Sequence, residues 1–422
     1  CTAAVEVCDN SIVSGKSCGV LVSDGCVADI LRNTVTDNAK GGVLFRQKGG
    51  GRLVDNVLAR NILSGVEVSG DGTVPEVMQN KIFDGEQCGI LVHKSGAGLI
   101  QANHISGNAL AGISVQSGGT PTVRDNVVCK GKAGGIFVSE QGGGRYEHND
   151  VYGNAKAGIA VCEKSNPTFV DNQVHGNLQD GVYIYDEGKG TFEANAIHGN
   201  SLAGVDISDG ADPVLVKNQI FNGGQGGVFI YAKAKGTLED NDIYGNAKAN
   251  IEIKDGAAPT IRNNKIHDGV QDGVYIYQNA GGVLENNDIF NNKLAGVAVR
   301  SGADPLIKGN KVHGGKDVGV LFYEGARGSL VSNIIYDHAK TNVDVRTGSV
   351  VKMTENKIHG SKLYGVRFSD PDSGGHVVKN DIYGNGKAGV LVLLGAAPML
   401  EDNHVHSGAS CGVVRRRSHA SK

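Results

Sequence analysis

The stretch Asn241-Asp242-Ile243-Tyr244-Gly245-Asn246-Ala247-Lys248-Ala249-Asn250-Ile251-Glu252-Ile253-Lys254-Asp255-Gly256-Ala257-Ala258-Pro259-Thr260-Ile261-Arg262-Asn263-Asn264 decides how this chain folds. It opens and closes on asparagine, and the closing residue starts the same pattern again. Followed outward in both directions, that asparagine recurs eighteen times, from Asn10 to Asn403, at intervals of 23 residues except two of 24. Two residues after it stands an aliphatic side chain, as at Ile82, Val174, Ile266 and Ile382, and three before it an apolar or aromatic one, as at Ile100, Phe169 and Leu238. Ten residues after it the chain has only Val or Ile. Nine after it stands Gly in sixteen copies and Asn in two, Asn250 and Asn342.

Segments such as Gly181-Val182-Tyr183-Ile184-Tyr185 alternate with period two, which predicts short strands with one buried face. A glycine replaced only by asparagine predicts a turn at positive φ. An asparagine that never varies predicts a ladder of side-chain amides bonded from coil to coil. Three strands and three turns in 23 residues fit one coil of a parallel β-helix. The Leu-x-x-Leu-x-Leu signature of leucine-rich repeats is absent, and propeller blades need about 40 residues. A second period doubles the first: Pro75, Pro121, Pro167, Pro213, Pro259, Pro305 and Pro398 stand five before the asparagine in alternate coils, with glycine in the coils between. The predicted fold is therefore all-β, a single-stranded parallel β-helix of about 18 coils with a 46-residue double-coil repeat, right-handed by the crossover rule. With no linker in the pattern, residues 1–414 read as one domain and 415–422 as a basic tail.

Composition removes whole classes of function. Gly is 64 of 422 residues without a Gly-x-y period, which excludes collagen, and 40% apolar residues exclude wholesale disorder. A net charge of −3 gives no global attraction to nucleic acid or anionic membrane, and no apolar run is long enough to insert in one. The eight cysteines are scattered, with no Cys-x-x-Cys and no Cys/His spacing for zinc. A local disulfide among Cys1, Cys8, Cys18 and Cys26 stays open. Free thiols and the lack of any Asn-x-Ser/Thr acceptor favour an intracellular, cytoplasmic setting. No metal and no cofactor are expected.

In such a repeat, residues 23 apart lie above one another. A row of planar rings follows three residues after the asparagine: Tyr152, His175, His198, Phe221, Tyr244, His267, Phe290, His313, Tyr336, His359, Tyr383 and His406. Phe and Tyr replace His freely and no carboxylate belongs to the row, so it reads as a stacking ladder in place of a metal or catalytic column. The strand after the glycine directs a second set outward: Phe137, Tyr183 with Tyr185, Phe229 with Tyr231, Tyr275 with Tyr277, and Tyr323. Small or acidic residues alternate with them, Asp206 and Glu252 among these. An outward aromatic strip of this kind marks a binding face, for a protein segment or for sugar rings, against the plainer reading of cross-strand β-propensity.

Catalytic motifs fail. Gly15-Lys16-Ser17 lacks the earlier glycine of a phosphate loop, Asn10 standing in its place, and no His-Glu-x-x-His occurs. No catalytic residues are assigned. Asp206, Glu252, Lys254, Arg300 and Arg346 do share one face, spread along it as a repeating texture that reads as solvated surface charge; carbohydrate chemistry is the alternative, with Asp206 or Glu252 in acid–base roles.

The segments Asn241–Asn246, Gly256–Asn264 and Lys265-Ile266-His267-Asp268-Gly269 resemble parallel β-helix repeats of the CASH type. The alternation of a Pro coil with a coil such as Gly236-Thr237-Leu238-Glu239 is most similar to the β-helix region of F-box-only proteins ten and eleven. The resemblance covers about residues 5–414. It implies a non-catalytic protein-interaction scaffold or recognition rod, for substrate recognition as in F-box-type adaptors or as a structural subunit of a larger assembly. Related coils also occur in alginate epimerases, so the alternative is a polysaccharide lyase or uronate C5-epimerase working along one sheet face. The epimerase Asp-Pro-His motif is not present: Asp212-Pro213, Asp304-Pro305 and Asp370-Pro371 are followed by Val214, Leu306 and Asp372. The expected partner is a protein, with a polysaccharide as the alternative, and neither nucleic acid nor a membrane.

Overall fold

The computed structural model describes residues 5–393 and 395–416. Among them the chain is all-β, with 54 strands and no helix, three strands to each of eighteen coils. The first strand of a coil precedes the recurring asparagine, the second follows it, and the third follows the glycine; each joins its own parallel sheet. The chain forms two compact units, one running to Asp206 with Gly210–Gln219, the other comprising Ile207–Asp209 and the chain from Ile220. A solenoid coil touches only its neighbours, so length alone lets contacts divide where the sequence pattern shows no break. The last strand is Val413–Arg416, pairing Val392 with Arg415 and Leu393 with Arg416. Arg415 and Arg416 therefore belong to a sheet, not to a tail; residues 417–422 lie outside the described residues.

Register follows the repeat. In the first unit Phe169 pairs with Phe192, Val174 with Ile197 and Ile159 with Val182. In the second, Ile261 pairs with Leu284, Ile266 with Ile289 and Val274 with Val297. Each inward residue thus stacks on its own kind. Tyr146, Phe169 and Phe192 form a fully buried column with ring centroids 4.4 and 5.0 Å apart. Aliphatic columns such as Val151–Val174–Ile197 are equally buried, each side chain contributing about 1.5–3 kcal/mol of apolar transfer.

The asparagine ladder runs as expected. Each Asn donates both its backbone N–H and its Nδ2 to the Oδ1 of the Asn one coil on: Asn149 to Asn172 at 2.9 and 2.9 Å, Asn264 to Asn287 at 2.9 and 3.0 Å. The Nδ2 also caps a carbonyl of the preceding coil, as Asn126 does to Ile100 O at 2.9 Å. These bonds serve backbone groups that a turn would otherwise leave buried and unpaired.

The glycine nine residues after the asparagine is not a positive-φ residue, and neither Asn250 nor Asn342 is. Left-handed positions lie elsewhere: just before the ladder asparagine, four after it and 14–15 after it, many of them held by ordinary side chains such as Arg32, Arg60, Lys48 and Lys217, and five before it where that residue is glycine, as at Gly98. What requires glycine is space. A Cβ on Gly181 would stand 2.6 Å from Gly204 O, Asn200 Nδ2 and Ile197 Cγ2 alike.

Asn200 belongs to a second amide ladder, five residues after the first, which sequence reading missed. Asn154 Nδ2 donates to Asn177 Oδ1 at 3.0 Å and Asn177 Nδ2 to Asn200 Oδ1 at 3.0 Å. Where this station is Gly269, Asn250 of the preceding coil fills the gap, accepting from Asn246 Nδ2 at 2.9 Å and donating to Asn292 Oδ1 at 3.1 Å. The two asparagines that replace glycine are thus ladder members: Asn342 likewise meets His338 Nδ1 at 2.9 Å and Asn385 Oδ1 at 3.3 Å.

His338 takes the ladder station in its coil. It is fully buried, its Nε2 has no hydrogen-bond partner, and burial pushes its ring down to about 4. The sign follows from linkage. Above pH 6.5 the ring is neutral in folded and unfolded chains alike; below it the unfolded chain takes up a proton that the folded one refuses until about pH 4. Stability is therefore lost as pH falls through this window, by up to about 3 kcal/mol. His338→Asn, which restores the usual ladder residue, is expected to remove that part of the acid sensitivity. Urea midpoints of both chains at pH 7 and 4.5 measure it, and an equal drop in the two would refute the assignment.

Candidate functional site

The outward face of the third sheet carries the predicted aromatic strip, and it differs between the two units. In the first unit Leu91, Ser114, Phe137, Ala160 and Tyr183 lie side by side in consecutive strands. Large and small side chains alternate because the double-coil repeat alternates. The result is a corrugated groove of about 650 Å³, floored by Ala111, Ser114, Ala133 and Ala160 and walled by Leu91, Leu110, Phe137, Tyr183 and Tyr185. Tyr183 and Tyr185 stack on each other at 4.4 Å. Burial, together with the Cys162 thiol beside it, pushes the Tyr185 phenol up, so it stays protonated. Gln87, Lys156 and Gln179 supply polar groups along the groove. Asp206 is half-buried on the strand Val205–Ile207 and is not among the groove-lining residues.

In the second unit the corresponding gaps are filled. Phe229 and Tyr231 stack at 4.6 Å, and Lys254 Nζ lies 5.1 and 5.5 Å from their centroids. Tyr275 and Tyr277 stack at 4.6 Å, and the Arg300 guanidinium lies 5.3 Å from both and 5.8 Å from Tyr323. Cations against rings in this way satisfy the aromatic faces from within the chain. Burial, with the 2.6 Å hydrogen bond that Glu252 accepts from the Tyr277 hydroxyl, holds that phenol above its ordinary range. Further along, Asp344 is fully buried between Arg346 and Arg367, with Arg367 Nε donating to its Oδ1 at 2.9 Å. The charges of this face are partnered in ion pairs, hydrogen bonds and cation–π contacts; they are not a loose solvated texture.

The ring row of the second sheet stacks as predicted. In the second unit Phe221, Tyr244, His267, Phe290, His313, Tyr336, His359, Tyr383 and His406 follow one another at 4.6 to 5.3 Å. Carboxylates do reach this row, contrary to expectation. Asp150 meets His175 Nε2 at 3.0 Å, Asp242 meets His267 at 2.9 Å, and Asp288 meets His313 at 2.9 Å. The aspartate sits two positions earlier on the strand of the preceding coil, so the pair is diagonal. The signal was present as Asn-Asp at 149–150, 241–242 and 287–288.

Within each unit, parallel sheets of short strands, internal amide ladders and an apolar interior define a β-solenoid. The chain belongs to the right-handed β-helix family: the family described as a right handed beta helix region matches residues 18–174, 161–312 and 299–421. A comparison with curated protein sequences finds no match. Among solved structures, a chain of the Vag8–C1 inhibitor complex is similar at 12% identity and a TM-score of 0.50, over 98% of this chain and 100% of that one. The A-module of mannuronan C-5 epimerase AlgE4 from Azotobacter vinelandii is similar at 14% identity and a TM-score of 0.49, over 77% and 89%. PfbA, a surface adhesin of Streptococcus pneumoniae, is similar at 10% and 0.33, over 66% and 85%. At these identities the likeness is one of fold.

Proposed function

We propose that this protein is a non-catalytic recognition scaffold that holds an extended polypeptide segment in the aromatic groove of its first unit. The groove itself carries the reading. Its recesses at Ser114 and Ala160 lie two strands apart, about 9.6 Å. A polyproline II segment presents a side chain on the same face every third residue, about 9.3 Å, and such segments dock in aromatic-lined grooves. A Pro-rich stretch with an aliphatic residue at every third position fits the corrugation. In this reading the chain parallels the β-helix region of F-box-type adaptors, whose repeat it resembles. Free thiols at Cys8, Cys18, Cys88, Cys129 and Cys162 support an intracellular setting for that role.

Selection of a displayed-peptide library on the full chain is expected to enrich such sequences. Ala160→Lys, which fills one recess, and Tyr183→Ser, which removes a wall, should each weaken the selected peptide at least about tenfold, or 1.4 kcal/mol. The rival reading, a lyase or epimerase with Asp206 or Glu252 as the acid–base group, makes a different prediction. Turnover of uronate polymers, lost on Asp206→Asn, together with no peptide enrichment, would replace the scaffold reading with it.

A further inference from the structure

We propose that Asp381, His404 and His406 bind one divalent transition-metal ion, and that the ion fastens the coil beginning at Asn403 to the coil before it. His404 and His406 are alternate residues of one strand, so both rings project from the same side, with centroids 4.1 Å apart. Asp381 lies directly beside His404 on the neighbouring strand. Its Oδ1 stands 3.4 Å from His404 Nδ1 and 3.2 Å from His406 Nε2. Ligands about 2.0–2.1 Å from a tetrahedral zinc ion stand about 3.3 Å from one another, so the spacing suits an ion placed between them. The His406 ring is held in place for this: its Nδ1 meets Ser407 Oγ at 2.9 Å and it stacks on Tyr383 at 5.2 Å. Such a partner on the second ring nitrogen orients the ligating one.

The repeat supplies its own control. At the other Asp–His pairs the residue beside the carboxylate is Gln173, Lys265 or Lys311. Those pairs offer two ligands. Where His404 takes that station a third appears, and among the described residues this is the one group of three with ligand atoms within 4.8 Å of one another. Two imidazole nitrogens and one carboxylate oxygen favour Zn²⁺, Co²⁺, Ni²⁺ or Cu²⁺ over Mg²⁺ or Ca²⁺. His404 is 75% exposed at its side chain, so solvent completes the coordination. A row read down the repeat joins residues 23 apart and passes over the diagonal from Asp381 to His406, 25 residues on.

Titration of the full chain with Zn²⁺ at neutral pH, read by calorimetry, is expected to show one site more than in the His404→Ala/His406→Ala double variant, and Mg²⁺ to show none. At ten times the dissociation constant, zinc should slow hydrogen exchange in the strand His404–His406 about tenfold. Lys311→His, which sets a second imidazole beside the Asp288–His313 pair, should add a further equivalent. Equal zinc stoichiometry in the wild type and the double variant would overturn the proposal. So would a Lys311→His chain that binds no extra ion, because then the Asp-His-His spacing is not what binds.

Discussion

Asn287→Ala is expected to destabilise the second unit by about 4 kcal/mol, far more than the loss of one polar side chain at a surface. The arithmetic is in its partners. Asn287 Oδ1 accepts from both the backbone N–H and the Nδ2 of Asn264, and its Nδ2 donates to Ile261 O at 2.8 Å and to Asn310 Oδ1 at 2.9 Å. Alanine takes their partner from two groups in a dry interior, the Asn264 N–H and the Ile261 carbonyl, while the Asn264 amide keeps Leu238 O and Arg262 O at 2.9 Å each. Each buried orphan costs about 1–3 kcal/mol. The neighbouring amides cannot slide to close the gap, because each is already bonded to its own coil. Asn10→Ala is the control. Asn10 is exposed and bonds to Cys8 O and Asn33 Oδ1, so water replaces what it loses and the cost should stay below about 1 kcal/mol. Hydrogen exchange of the strands Thr260–Arg262 and Val283–Glu285 measures the loss where it falls. Unchanged exchange there would mean the ladder adds little to stability.

The fold was legible because a 23-residue period turns sequence distance into vertical distance; every row read down the sequence reappears as a register pair. The errors come from features that the period does not encode. Small residues are selected by two different pressures, a left-handed backbone and a missing space, and a sequence shows only the smallness. Gly181 answers to the second, which is visible only as a Cβ meeting three atoms at 2.6 Å. The true left-handed stations escaped notice because the adjoining ladder amide supports the turn and lets Arg32 or Lys217 sit there. The second ladder was hidden because its station is asparagine in only nine coils and reads as a variable turn. The Asp–His pairs span 25 residues, a diagonal that a vertical reading skips. In the outward strip the direction of each ring is readable, but a repeating texture of charge does not show that Lys254 and Arg300 lie against the rings. What separates the open groove of the first unit from the filled face of the second is thus one pair of cations, which the alternation alone does not reveal.

The pair Asn250 and Gly269 should behave as a single unit, and a double-mutant cycle is expected to show it with the largest coupling in the chain. Elsewhere, Asn342 apart, the repeat places glycine at the first of these stations and, in nine coils, asparagine at the second. Here the amide has moved to the other side of the gap. Asn250→Gly alone removes the bonds to Asn246 Nδ2, His267 O and Asn292 Oδ1, leaving a buried void with unserved groups, at about 2–4 kcal/mol. Gly269→Asn alone drives a Cβ to 2.8 Å from Asn250 Nδ2 and crowds two amides into one space, at a similar cost. Both changes together restore the arrangement of Gly181 over Asn200, in which one amide fills one space. The double variant should therefore lie within about 1 kcal/mol of the wild type, a favourable coupling of at least about 3 kcal/mol. Urea midpoints of the four chains measure it. Additive losses would mean that Asn250 does not substitute for the missing ladder residue, and that its amide bonds are incidental to the stability of that coil.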